Sequence, residues 1–283
     1  MQSLINELKK NCYLPFCFIS VFGTAFTCLL SHCYTDEKQT SYTVVQAIFS
    51  DEVPREILPL LEVWKEGIGI WSFILLPFLL SIGYLFVTAS EQRSGNIRFT
   101  LVREGTIRYC LAKMLGHMLC GGIFMVLGYL LYGLLCLPFF PFLSAFPADE
   151  MAYHLEMLGI KSIPVFIAIR LFCVFFYGIF MNLFSFLVSV LFSDTYILLC
   201  LPMMLSYIYS SVIGALESGM FDSGNEKLLR VIQLFHMDNI FMAPAWRERL
   251  YTAGIFLGVY LLIFFLFVFR TRKWTGSTAG TRG

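Results

Sequence analysis

The sequence predicts an all-α integral membrane fold, and three observations carry that prediction. Apolar residues make up 58% of the chain and charged residues only 14%, where a soluble domain carries about 25% charged residues. The apolar residues stand in blocks of about twenty, the length that crosses a hydrocarbon core at 1.5 Å rise per residue. Basic residues concentrate in short segments between particular blocks. At 283 residues the chain is long enough for a soluble core but has too little polar surface to cover one.

Six spans follow from the blocks, at about 12–33, 68–89, 114–137, 163–192, 196–216 and 250–269, within one polytopic domain over 1–283. Ahead of the first, LINELKK reads as a short amphipathic helix. Lys9 and Lys10 give the first span the look of a signal peptide, but its apolar stretch is too long and no small-x-small site closes it. It is read as a retained helix. The fourth span exceeds what a bilayer requires, so it tilts or extends past the interface. Only Ser193-Asp194-Thr195 separates the fourth from the fifth, and Asp194, costly in lipid, marks the turn.

Orientation follows from Lys and Arg. With the N-terminus inside, the inner segments hold Lys9, Lys10, Arg93, Arg98, Arg103, Arg108, Lys113, Arg270, Arg272, Lys273 and Arg282. The longer outer loops hold eight basic residues and fifteen of the nineteen acidic ones. Basic density therefore places both termini in the cytoplasm.

In the outer loops, Ile57, Leu58, Leu61 and Trp64 fall near one helical face, which suggests a short helix on the outer interface. Between 217 and 249, polar and apolar patches alternate, as in LLRVIQLF and NIFMAPAW. One or two interfacial or re-entrant helices, or an ordinary folded loop, fit that pattern. Cys17, Cys28, Cys120, Cys173 and Cys200 lie inside apolar runs and no CxxC occurs, so the cysteines read as packing residues. Cys33 and Cys136 would pair only if the fold joined them.

No motif for phosphate cradling, zinc hydrolysis or a serine nucleophile is present, and no metal ligand set is assigned. His154 with Glu156 and His236 with Asp238, in outer loops, form either a metal or acid–base site or ordinary polar pairs on the surface, with the ordinary pairs the favoured reading, and His32 and His117 take interfacial or packing roles. Arg170 is the one basic residue inside a span. Charge at that depth marks either function or a side chain snorkelling to the outer headgroups, and snorkelling is the favoured reading. Gly178, Asn182, Ser185 and Ser189 recur on one face of the fourth span. They serve either close helix packing or a translocation path, with packing the safer choice.

The segment ASEQRSGNIRFTLVREGTIRYCLAK, from Ala89 to Lys113, is basic and half amphipathic. Glu91 to Arg103 is expected to form a short helix, with Ile97, Leu101 and Val102 turned to membrane or protein and Arg98 and Arg103 solvated. Gly95 and Gly105 bend the chain at its ends. A loop that only sets orientation needs the charges but not the apolar pattern.

On Glu91, Ser94-Gly95, NIRFTLVREGTIRY and Lys113 at the start of the third span, the chain resembles the permease subunits of type-2 ABC exporters. The likeness spans most of the chain in architecture and about 25 residues in motif. It implies a second permease, identical or related, two P-loop ATPase subunits beneath, and a bacterial cell membrane. ATP and Mg would sit on the ATPase partners, with no cofactor and no catalytic residue on this chain. It also implies a coupling helix built from Glu91, Gly95, Ile97, Arg98, Leu101 and Arg103, moving a cargo such as a peptide or drug-like amphiphile. A six-span secondary transporter or channel is the alternative; it would more often show paired intramembrane charges or broken helices.

Overall fold

The computed structural model describes the chain except residues 1, 36–38, 51, 52, 54, 56, 57, 95, 143–162, 223–225, 238, 243–245 and 277–283. The chain opens with α1 (Gln2–Asn11), whose Lys9 and Lys10 occupy the last turn, where the helix dipole favours cations. A bend of 66° leads into α2 (Leu14–Leu29). Pro15 lies in the first turn of α2, where its missing N–H leaves no bond unmade. The sequence carries the first span to Cys33, but α2 stops at Leu29. Ser31 Oγ donates to Cys28 O at that end, and Cys33 belongs to a strand.

That strand, β1 (His32–Thr35), pairs antiparallel with β2 (Ser41–Thr43), and the Tyr34 and Tyr42 rings meet across the hairpin. A capping box on Thr43 and Gln46 starts α3 (Val44–Phe49). Next come α4 (Leu60–Lys65), α5 (Ile70–Leu79) and α6 (Ile82–Ser94), then α7 (Asn96–Glu104) and α8 (Thr106–Cys136). The remaining helices are α9 (Ile163–Leu191), α10 (Thr195–Asp222), α11 (Glu226–Gln233), α12 (Asn239–Met242) and α13 (Trp246–Gly276).

Taken singly, α8, α9, α10 and α13 are long and apolar enough to cross a membrane. The bent pairs α1–α2 and α5–α6 raise the number to six if each pair is one span. The 31 residues of α8 make about 46 Å of helix, against a hydrocarbon core of about 30 Å. Compared with the spans read from sequence, α8 starts earlier, α10 ends later and α13 projects at both ends. Their polar extensions are helical too.

The second expected span is two helices meeting at 42°. Pro77 lies inside α5, and Ser81 N turns to Phe78 O instead of Pro77 O. The Pro77 carbonyl, relieved of its helical donor, accepts from the hydroxyls of Ser81 and Ser185. Side-chain hydroxyls thus satisfy backbone at a break that lipid could not.

The core lies where α8 and α9 cross. At Gly121 and Gly178 the two backbones come so close that a methyl group would collide with Asn182 or Met125. Both α10 and α13 are far less covered by the rest of the chain than α8. The basic ends of α1, α6, α7 and α8 gather at one end of the bundle. At the opposite end α4 docks on α8, with Trp64 Nε1 donating to Tyr129 O (3.1 Å) and Tyr132 OH to Val63 O (2.6 Å). The helix expected on the outer interface from Leu58, Leu61 and Trp64 is α4, which packs inward instead, with Leu60, Leu61, Val63 and Trp64 buried. The short helices expected between 217 and 249 are α11 and α12, tied back by Gln233 Nε2 to Glu217 Oε1 (3.1 Å) and Thr252 Oγ1 to Leu234 O (3.1 Å). All nine cysteines are free thiols, and Cys33 Sγ points to Tyr42 O at 3.7 Å.

Candidate coupling site and buried polar stripe

Three helices meet at the basic end through four charges. Lys113, on the first turns of α8, is 1% exposed, and its Nζ lies 2.6 Å from Glu91 Oε2 and 2.7 Å from Glu7 Oε2. Lys10 Nζ closes the other side, 2.8 Å from Glu91 Oε1 and 3.1 Å from Glu7 Oε1. Two carboxylates and two ammonium groups make a neutral set spanning α1, α6 and α8. Burying Lys113 alone would be prohibitive; two carboxylates within hydrogen-bond reach make it tolerable.

One helix was expected from Glu91 to Arg103, and the structure corrects that. Glu91 sits in the last turns of α6, and a separate helix, α7, runs from Asn96 to Glu104. Ile97 (7% exposed) and Leu101 (4%) pack inward, as a docking face to the chain's own bundle. Val102, expected to turn to membrane or protein with them, lies on the other side, 88% exposed, beside Phe99 at 78%. Arg103 is exposed, whereas Gly95 and the side chain of Arg98 lie outside the described residues.

The carboxyl end of α7 is fixed. Ser3 Oγ donates to Glu104 Oε2 at 2.5 Å, joining α7 to α1. The next residue, Gly105, has φ +80°, a conformation that a side chain would strain, and it turns the chain straight into α8. Helix α7 is therefore a short rod held against α1, α6 and α8, presenting two bare apolar side chains away from the bundle.

The stripe on α9 lies wholly inside the chain. Asn182 Nδ2 donates to His117 O and its own carbonyl faces His117 Nε2, both at 3.1 Å. Ser81 Oγ and Ser185 Oγ lie 2.8 Å apart, and Tyr84 OH lies 3.2 Å from Ser189 Oγ. Gln92 Nε2 reaches Ser189 O at 3.3 Å. Gly178 supplies the close approach to α8. In this single chain all four residues serve contacts between α9 and its neighbours.

Arg170 does not follow the snorkelling expectation. It is 6% exposed, its Nε donates to Tyr129 OH at 3.2 Å, and Nη2 donates to Lys65 O. The carbonyl end of α4 and a tyrosine hydroxyl draw the guanidinium into the bundle. His236 pairs with Glu217 (3.1 Å), while His154, Glu156 and Asp238 lie outside the described residues. Among the described residues no group of three or more His, Cys, Asp or Glu side chains could hold a metal.

Sequence reasoning missed the parts played by Glu7, Lys10 and Ser81; His117 takes the packing role, stacked on Tyr84 at 4.0 Å. The Glu7 and Lys10 pair, one helical turn apart, was the available signal for the first two.

Fold and site together define an all-α, multi-pass membrane protein in which α1, α6 and α8 are joined at the basic end by buried ion pairs, with the short helix α7 packed against them. No family model, no characterised protein and no solved structure matches the chain.

Proposed function

We propose that the chain is the membrane-spanning permease subunit of an ATP-driven ABC exporter in a bacterial cell membrane, with both termini in the cytoplasm. One observation carries the reading. Helix α7 leaves Phe99 and Val102 bare in a segment rich in Arg, while Ile97 and Leu101 pack it onto the bundle, Ser3 bonds its Glu104, and the Glu7–Lys10–Glu91–Lys113 set joins α1, α6 and α8 against which it lies. Exposed aromatic and aliphatic side chains on a polar surface suit insertion into a partner's apolar pocket. A rod so anchored would pass a push at Phe99 into α1, α6 and α8.

The partners are two P-loop ATPase subunits, which bind ATP and Mg and hydrolyse the nucleotide, and a second permease, identical or related. This chain contributes no catalytic group. The path for a peptide or drug-like amphiphile runs between the two permeases. The bonds made by Asn182, Ser185 and Ser189 favour a packing role for that stripe, since a route along it would have to break them.

One observation favours a second reading, a secondary transporter or channel: the break between α5 and α6 resembles the discontinuous helices of that class. Purification of the tagged chain from native membranes in mild detergent separates the two. A P-loop ATPase recovered in comparable amount supports the exporter; its absence across several gentle detergents leaves the secondary transporter.

A further inference from the structure

At the basic end, α6 and the first turn of α10 enclose an open cleft of about 500 Å³, lined by Phe86, Ala89, Ser90, Arg93, Ser94 and Thr195. Its chemistry changes along α6. Phe86 and Ala89 give it an apolar floor, and Ser90, Arg93 and Ser94 a polar mouth. Phe86 and Arg93 lie seven positions apart, about 10 Å along the helix axis.

Ser94 Oγ donates to Glu91 O (3.3 Å), but the other polar groups there lack partners in a way that the nearby ion set does not. Lys10 and Lys113 are each matched by carboxylates. Among the described residues none forms an ion pair or hydrogen bond with Arg93, and none bonds the Ser90 hydroxyl. Thr195 Oγ1 is buried and has no hydrogen-bond partner. Asp194, the acid just before α10, spends a carboxylate oxygen on Tyr196 N (2.8 Å) and Ile197 N (3.3 Å) as a helix cap. An unmatched guanidinium with two unused hydroxyls, and no acid in the lining, calls for a phosphate oxygen. The apolar floor calls for a hydrocarbon chain attached to it.

We infer that the α6–α10 cleft binds a membrane phospholipid with a net-anionic headgroup, its phosphodiester on Arg93, Ser90 and Thr195 and the start of an acyl chain on Phe86. The inference does not depend on an ATPase partner. A forked guanidinium is well suited to phosphate oxygens, and such a lipid would pin the end of α6 that carries Glu91.

The test uses the full chain, purified and delipidated, titrated with phosphatidylglycerol or phosphatidylcholine of matched acyl chains and read by native mass spectrometry. Phosphatidylglycerol is expected to be retained preferentially. Arg93→Gln should weaken that retention about tenfold, the effect of losing one charge-assisted hydrogen bond. Thr195→Val should weaken it by a smaller factor, with the charge intact. Arg108→Gln, an exposed cation outside the cleft, serves as the control and should behave as wild type. Equal retention of the two lipids, or an Arg93→Gln variant that matches wild type, overturns the assignment. Complete displacement by inorganic phosphate would assign the cleft to a free anion instead. A shift in oligomeric state on Arg93→Gln, with lipid retention unchanged, would make it a seat for another copy of the chain.

Discussion

Lys113 Nζ lies between Glu91 Oε2 at 2.6 Å and Glu7 Oε2 at 2.7 Å, with the lysine side chain 1% exposed. A cation buried between carboxylates from two other helices makes the stability of α1, α6 and α8 interdependent. Removing one member strands charge: Lys113→Met leaves two carboxylates with only Lys10, and Glu91→Gln leaves two cations with only Glu7. Each single variant should lose about 3–5 kcal/mol. The double variant leaves the neutral Glu7–Lys10 pair and should recover much of that loss. SDS-driven unfolding of the four proteins measures the cycle; additive losses would mean that the charges are not coupled.

The apolar face of α7 separates binding from folding. Phe99 and Val102 touch little in the chain, so Phe99→Ser with Val102→Ser should change stability by about 0.5 kcal/mol or less. Capture of a P-loop ATPase should nevertheless fall about tenfold or more, since two exposed apolar anchors are lost. Ile97→Pro acts differently, breaking α7 itself. It should uncouple ATP hydrolysis from export in a protein that still inserts. Wild-type capture by the serine pair, or wild-type transport by Ile97→Pro, removes the coupling role.

The sequence announced the membrane class through its apolar blocks, and α9 begins at Ile163 and ends within one residue of expectation. It did so because that helix is apolar round most of its surface, with one narrow polar stripe. It concealed the end of α2, because Ser31-His32-Cys33-Tyr34 is no more polar than a span's last turn while its hydrogen bonds are those of a hairpin. It also concealed the ion set. Glu7 reads as the polar face of an amphipathic helix, and only the fold brings it to Lys113. Arg170 was visible as a charge inside a span, but not its burial or its partners, which come from α4 and α8. Long-range polar contacts leave no periodicity in a single chain.

The break in the second span yields a stability prediction. Ser81 and Ser185 both serve the Pro77 carbonyl, so Ser185→Ala should cost about 0.6–1.7 kcal/mol, the range found for single hydrogen bonds in a membrane bundle. The pair Ser81→Ala and Ser185→Ala leaves the carbonyl with neither hydroxyl. It should cost more than the sum of the singles, because a buried acceptor left unpaired carries its full desolvation penalty. SDS unfolding of the three variants checks the inequality, and a sum or less would mean that another group serves Pro77.

Topology has an independent chemical reporter. With both termini in the cytoplasm, reporter fusions after Lys10 and Glu104 should read inside, and fusions after Ser50 and His236 outside. Cys33 lies in the hairpin on the outer side under that topology. Burial pushes its thiol up to about 11, although a hydrogen bond acts slightly the other way. The thiolate is the reactive form, so labelling of Cys33 by an impermeant maleimide should be slow at neutral pH and rise about tenfold per pH unit toward 10. A cell-exterior label that never reaches Cys33, with reporters inverted, would reverse the orientation.

Arg170 allows the snorkelling role and the bridging role to be told apart by a substitution that keeps the charge. A side chain reaching for headgroups needs only length and an ammonium or guanidinium tip, so Arg170→Lys would be neutral. A bridge that serves Tyr129 OH from Nε and Lys65 O from Nη2 needs the planar fork, which lysine lacks. Arg170→Lys should then lose about 1–3 kcal/mol. Tyr129→Phe removes the acceptor for Nε and the donor to Trp64 O together, so its loss should be of similar size. Because the two residues share one contact, the double variant should lose less than the sum. The same SDS unfolding experiment reads all three proteins. A neutral Arg170→Lys would return the guanidinium to the headgroups, whereas a loss with sub-additive coupling to Tyr129 fixes it as the link between α4, α8 and α9.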